Sequence, residues 1–321
     1  MSRARVPLII LLALTAVYIA NCFTPLRLTN DTVRYITIKE WMEAGKPADH
    51  PAANEFLPYG YVWFLLILSK LGIAKSVVIS FIQLLYFFGS VWFIKKIFGS
   101  EIKGWQLLAL CMLSWASMKF VITPLSEMQF LFFSMGALYF FKSSKFVWAI
   151  IFTAAAMLTR TIGFVLIIAF VLGLFWRKRQ AIGSFISKNK LIIAGSAAVL
   201  AVLFFLFDGF GIERYLTNHS YYFQPLFSDP LGFFLNNFKS HLIDWSALVL
   251  NAPAPRIAMF GTALKDAVYL IAGIISFAVL LFLLLKNEDI APEIKAYLLC
   301  YSLIIFIWPL SEPRLWLPIF P

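Results

Sequence analysis

Charge is scarce in this chain. Only 13% of its 321 residues are Asp, Glu, Lys or Arg, against roughly 25% in an ordinary globular domain. That shortage excludes a disordered tail, whose composition must be polar. Cysteine is nearly absent: Cys22, Cys111 and Cys300 are the only three. They sit in or at the edge of apolar runs, which excludes a disulfide scaffold and reads as packing. Three histidines (His50, His219, His241) have no metal-ligand spacing. What fills the space is apolar: 61% of the residues are hydrophobic. A soluble fold of this length could not cover that much apolar surface.

The net charge is +11, from 27 basic and 16 acidic residues. On a soluble protein this would suggest nucleic acid. Here the basic residues stand between apolar runs, so the partner is a bilayer and no nucleic acid is expected. About 20 apolar residues cross a membrane. Candidate spans are read at 6–22, 77–94, 104–122, 125–141, 146–159, 162–176, 191–207, 264–285 and 296–310. The first follows Ser2-Arg3-Ala4-Arg5 without a convincing cleavage site, and reads as a retained signal anchor. The chain stops at Pro321 inside an apolar stretch, so a natural short form and a truncated product both stay open.

A short apolar run, 59–68, decides the topology. If it spans, Lys95, Lys96, Lys142, Lys145 and the 177–190 cluster all face outward. If it lies along the outer interface, the inner segments hold 14 basic and 4 acidic residues and the outer ones 13 and 12. The positive-inside rule favours the second reading. The expectation is one all-α polytopic membrane domain over 1–321, with about nine transmembrane helices and a cytoplasmic N-terminus. Interfacial helices would occupy a first outer loop at 23–76, and 208–263 would form a large outer loop. Residues 146–176 are expected to be a hairpin of two short helices turning at 159–163, its tip in a protein-lined cavity.

Three features then share the outer face: Asn30-Asp31-Thr32-Val33-Arg34-Tyr35, Thr123-Pro124-Leu125-Ser126-Glu127, and the Arg160 turn. Asp31 reads either as a helix N-cap or as a general base. Glu127 reads either as an acid matched to a helix dipole or as a catalytic carboxylate. Arg160, between apolar helices, needs a partner: an ion pair with Glu127 or a phosphate. Two carboxylates and a submerged arginine suit glycosyl transfer from a polyprenyl-phosphate sugar. The phosphate leaves as a stable anion beside a cation, and one carboxylate serves the acceptor.

On those residues the chain resembles the GT-C superfamily of integral membrane glycosyltransferases, which includes aminoarabinose transferases and protein O-mannosyltransferases. The likeness rests on Asp31-Thr32-Val33-Arg34-Tyr35, Gly45, Leu57-Pro58-Tyr59-Gly60-Tyr61, Ser126-Glu127, Thr159-Arg160-Thr161-Ile162-Gly163 and Arg314-Leu315-Trp316-Leu317-Pro318. It covers 6–176 well and the remainder loosely. It departs at Thr32, where many relatives carry a second acid, and at Trp316, where a tyrosine is expected.

The resemblance implies a GT-C-like fold and an inverting, lipid-phosphate-sugar-dependent glycosyltransferase of the outer face; the short loops and the lack of a visible retention signal favour a bacterial inner membrane. It implies Asp31 as base or acceptor-orienting carboxylate. Glu127 would be a second carboxylate holding the donor or a divalent metal such as Mg or Mn, Asp31 being the other metal candidate; the cofactor stays open. Arg160 and Arg314 would bind the donor phosphate, and Arg34 and Tyr35 would shape the cleft. Arg214, His219 and Arg256 would lie in a large loop that selects the acceptor, whether glycan, lipid or protein. A transporter or flippase of lipid-linked sugars and a non-catalytic membrane-complex subunit are the competing classes.

Overall fold

A computed structural model describes residues 5–55, 57–99, 103–177, 190, 194, 212–253 and 262–319. The described chain is all-helical. In order, the helices are α1 (Arg5–Cys22), α2 (Asn30–Glu43), α3 (Tyr59–Lys70), α4 (Ser76–Phe98), α5 (Gly104–Leu113), α6 (Trp115–Val121), α7 (Glu127–Lys142), α8 (Phe146–Thr159), α9 (Val165–Arg177), α10 (Ile212–Ser228), α11 (Pro230–Val249), α12 (Thr262–Lys286) and α13 (Pro292–Ile307). Short 3-10 turns occupy Pro51–Asn54, Thr161–Phe164 and Pro313–Trp316. The expected span 191–207 lies outside the described residues.

Among the described residues, α4 and the Lys265–Lys286 part of α12 are long and apolar enough to cross a membrane. They differ in surroundings. Half of the apolar window of α4 is buried, and only 17% of that of α12. Val268, Ile271, Ile275, Phe282 and Leu285 of α12 stand exposed. An apolar helix buried this little is no core helix of a water-soluble fold, whose apolar stripe faces inward.

At the centre is α7, packed between α4, α8, α9 and α13. Lys142, at its C-terminal end, donates to the Ile97 carbonyl near the C-terminal end of α4, so the two helices end together. Lys95, Lys96, Lys142 and Lys145 therefore gather at one end of the bundle. The Cβ of Glu293 on α13 lies against Gly173 near the end of α9, which brings the α12–α13 connection to that same end. Glu127 opens α7 at the opposite end.

The α8–α9 hairpin forms where it was expected. At about 1.5 Å per residue, the 14 residues of α8 reach about 21 Å. The turn needs close backbone approach. A Cβ at Gly163 would sit 2.7 Å from the Met157 nitrogen, and one at Gly60 on α3 would sit 2.6 Å from the Leu158 carbonyl. Gly60 thus lets α3 press directly on the end of α8 that delivers Arg160.

The expected span 104–122 is broken. Ser114 is extended (φ −67°, ψ 123°) and separates α5 from α6. Asn251 explains the break: its Oδ1 accepts from the Trp115 N–H at 2.9 Å and its Nδ2 donates to the Leu113 carbonyl at 3.0 Å. One side chain satisfies backbone groups that an unbroken helix would pair internally. The described part of 208–263 is helical too. Its α11 packs against α12 and α13 and buries Phe233, His241, Leu242 and Trp245. Trp316 joins that core, ringed by His241, Trp245, Phe277 and Phe306.

Candidate functional site

Thr29, not Asp31, caps α2. Its Oγ1 accepts from the Thr32 N–H at 3.3 Å, and its backbone is extended. Asp31 is the second helical residue, so its carboxylate is left for other partners. It finds two: Arg314 donates from Nη2 to Oδ2 at 2.5 Å, and Arg34 from Nη1 to Oδ1 at 3.4 Å. Burial pushes the Asp31 carboxyl up, but Arg314, with Arg34 and Arg160, outweighs it and holds the group below the ordinary carboxylate value.

Glu127 begins α7, where the positive end of the helix dipole favours an acid. Its side chain is 2% exposed. Arg160, following α8, donates from Nη1 to Glu127 Oε1 at 2.6 Å. Arg314 Nη1 lies 3.5 Å from the same oxygen. One guanidinium therefore bridges Asp31 and Glu127, and a second holds Glu127 from the hairpin side. The other oxygen of Glu127, Oε2, is buried with no hydrogen-bond partner among the described residues. Buried carboxylate oxygens are normally satisfied, so an orphan here calls for an explanation.

The periphery is also ordered. Arg34 donates from Nε and Nη2 to Glu55 Oε2, at 2.9 and 2.6 Å. Arg314 Nε contacts Glu312. Tyr35 donates to Ser126 Oγ at 3.0 Å and ties α2 to the residue before Glu127. Burial, with the Glu127 charge adding, pushes the Tyr35 phenol up to about 12. Tyr301 on α13 donates to the Leu315 carbonyl at 2.9 Å and fixes the turn that presents Arg314.

Asp31, Arg34, Tyr35, Glu127, Arg160 and Arg314, taken from the sequence as candidates, thus lie in one cluster. Arg214 and His219 fall in α10, where their side chains are not described, and Arg256 lies outside the described residues. Sequence reasoning missed Glu55 and Glu312. Each offered a signal: Glu55 is an acid in the otherwise uncharged Pro51–Tyr61 stretch, and Glu312 stands two residues before Arg314.

A divalent metal between Asp31 and Glu127 was an open expectation. The donor set does not fit one: three of the four carboxylate oxygens are engaged by guanidiniums. Among the described residues no group of three or more His, Cys, Asp and Glu is placed to hold a metal ion. No family model, no curated protein and no solved structure matches this chain.

Proposed function

We propose that the chain is a multi-pass membrane glycosyltransferase of GT-C-like fold. It would move a sugar from a polyprenyl-phosphate donor to an acceptor at the outer face of a membrane, in a bacterial inner membrane with a cytoplasmic N-terminus. The observation that carries this reading is the orphan Glu127 Oε2 beside the guanidiniums of Arg160 and Arg314. The site offers two cations for an anionic leaving group, and a spare carboxylate oxygen for an incoming hydrogen-bond donor. Gathering of Lys95, Lys96, Lys142 and Lys145 at the opposite end supports the orientation, because basic residues stay on the cytoplasmic side. Exposed apolar faces such as that of α12 support the bilayer setting.

In this mechanism the donor phosphate lies against Arg160 and Arg314, which fork onto phosphate oxygens as they fork onto carboxylates. Drawing Arg314 toward phosphate loosens its hold on Asp31 and makes that carboxylate more basic. The acceptor oxygen or nitrogen attacks the sugar C1 from the face opposite the phosphate. The new C1–acceptor bond forms as the C1–O bond to phosphate breaks. The electron pair leaves on the phosphate oxygen, the acceptor proton passes to Asp31, and the configuration at C1 inverts. Glu127 anchors the two arginines and orients the sugar through Oε2.

Transfer in proteoliposomes from a polyprenyl-phosphate sugar tests the reading. Sugar released from the lipid and joined to an acceptor supports it. Lipid moved across the bilayer with its sugar bond intact would make the chain a flippase. Neither event, with the purified chain folded, would make it a non-catalytic subunit.

A further inference from the structure

A cavity lies apart from the charged cluster, where α10 meets α11. It measures about 540 Å³, within the roughly 300–1,000 Å³ typical of small-molecule sites. Its wall includes Tyr221, Tyr222, Gln224, Asp229, Asn236 and Asn237. Asp229 is partly used, since its Oδ1 accepts from the Gly232 N–H at 3.0 Å and caps α11. Asn237 reaches the Ile307 carbonyl at 3.4 Å. Gln224, Asn236 and the two tyrosines are exposed.

The composition of this wall selects its ligand. Amide side chains both donate and accept, as a ligand rich in hydroxyls requires. Tyrosine offers an apolar ring face with a polar tip. No Lys or Arg is among the described lining residues, so nothing there recommends a phosphate or a lipid headgroup anion. A purely apolar ligand would cover Gln224 and Asn236 without offering either amide a partner in place of water.

We infer that the α10–α11 cavity is a binding site for a neutral carbohydrate, its ring stacked on Tyr221 or Tyr222 and its hydroxyls held by Gln224 and Asn236. The cavity is linked to the charged cluster by one stretch of chain. From Asn237 the same face of α11 continues to His241, which meets the Trp308 carbonyl at 2.7 Å, and to Asp244, which accepts from Ser311 at 2.5 Å. The segment so gripped runs directly into Glu312 and Arg314. As the seat of a glycan acceptor the cavity rests on the glycosyltransferase reading; as a sugar-binding site it does not.

The test is saturation-transfer NMR on the full chain in nanodiscs, with a panel of neutral mono- and disaccharides and inorganic phosphate as the contrasting probe. Saturation transfer to at least one neutral sugar is expected. Gln224→Ala with Asn236→Ala should weaken binding about tenfold or more, as for loss of about 1.4 kcal/mol. Tyr221→Ala should do the same. These side chains are exposed, so the variants should fold. Phe227→Ala, exposed nearby but outside the lining, should bind sugar as the wild type does. No transfer to any sugar, or equal loss in Phe227→Ala, overturns the inference. Sugar binding with Asp31→Asn inactive in the transfer assay leaves both readings standing. Sugar binding by a chain that transfers nothing sinks the enzyme reading and leaves this one.

Discussion

Arg314 and Asp31, 283 residues apart in the chain, meet at 2.5 Å. The contact closes a ring of charge that joins the first helix after α1 to the last turn of the described chain. Glu127 and Arg160 complete it from the middle of the sequence. Arg314 answers to both Asp31 and Glu127 while Arg160 answers to Glu127, so losing one member redistributes the others.

Replacing Asp31 tests the base directly. Asp31→Asn keeps the shape and a weak hydrogen bond to Arg314 but cannot take a proton. Loss of a positioned general base lowers rate by about 10²–10⁴-fold. The expected result is a drop of that size in kcat with donor affinity retained. Full activity in a folded Asp31→Asn protein would remove Asp31 from the chemistry.

The pH response of that carboxylate has a definite sign. Arg314 and Arg34 hold the folded-state pKa of Asp31 below its ordinary value, which is about 3.9 in an unfolded chain. A depressed carboxyl contributes stability that is fully present above the unfolded pKa and is lost as pH falls through the folded pKa. Unfolding temperature in detergent should therefore fall on acidification below about pH 4, and less so in Asp31→Asn. Equal acid sensitivity in both proteins would show that the pair does not govern it.

How far the sequence reaches is clear from particular residues. Glu127 and Arg160 were legible because each is a charge at the end of an apolar run, costly unless partnered, Asp31 because it stands at a helix start, and Arg314 only through the motif it resembles. Which partner each takes was not legible. Asp31 could have been the cap of α2; the choice of Thr29 depends on the β-region backbone there and on the Thr32 N–H. Glu55 was missed because its role comes from a turn folding back onto Arg34 of α2, whereas Glu312 acts locally, two residues from Arg314. The break at Ser114 was hidden for the same reason: the apolar pattern runs straight through it, and the residue that stabilises it, Asn251, stands 136 positions after Trp115.

Asn251 should hold that break alone. Asn251→Ala leaves the Trp115 N–H and the Leu113 carbonyl without their partner. Both contacts are exposed, so water can replace them and the cost stays below the about 1–3 kcal/mol of an unsatisfied buried group. Hydrogen exchange at Trp115 should quicken while exchange within α4 and α7 stays unchanged. Protection at Trp115 equal to that of the wild type would show another group capping α6.

The Glu127–Arg160 pair makes a prediction in two parts. Glu127 is 2% exposed and Arg160 18%, so a lone survivor is a buried, poorly paired charge. Arg160→Met should destabilise by about 3–5 kcal/mol, read as thermal unfolding in detergent, with Arg314 reducing the loss through its 3.5 Å contact. Arg160→Met with Glu127→Leu removes both charges and should recover much of that stability. The double variant should nonetheless fail to bind the donor lipid, because a pair kept only for structure could be exchanged for apolar residues without functional loss. Recovery of stability together with donor binding would make the pair structural, and the phosphate would have to be held by Arg314 alone.

The sidedness of the bundle underlies the site. Ser76 opens α4 and is exposed, while Ser144 follows the end of α7 and is exposed at the end that gathers Lys95, Lys96 and Lys142. In a background lacking Cys22, Cys111 and Cys300, Ser76→Cys should react with a membrane-impermeant maleimide from the outside of intact cells. Ser144→Cys should react only after the inner face is opened. The same polarity would put the Asp31–Arg314 contact outside, where a sugar already carried across on its lipid could reach it. Labelling of Ser76→Cys only from the cytoplasm would invert the bundle. Lys95, Lys96, Lys142 and Lys145 would then face outward against the positive-inside rule, and the charged cluster would face the cytoplasm, which would sink the outer-face reading.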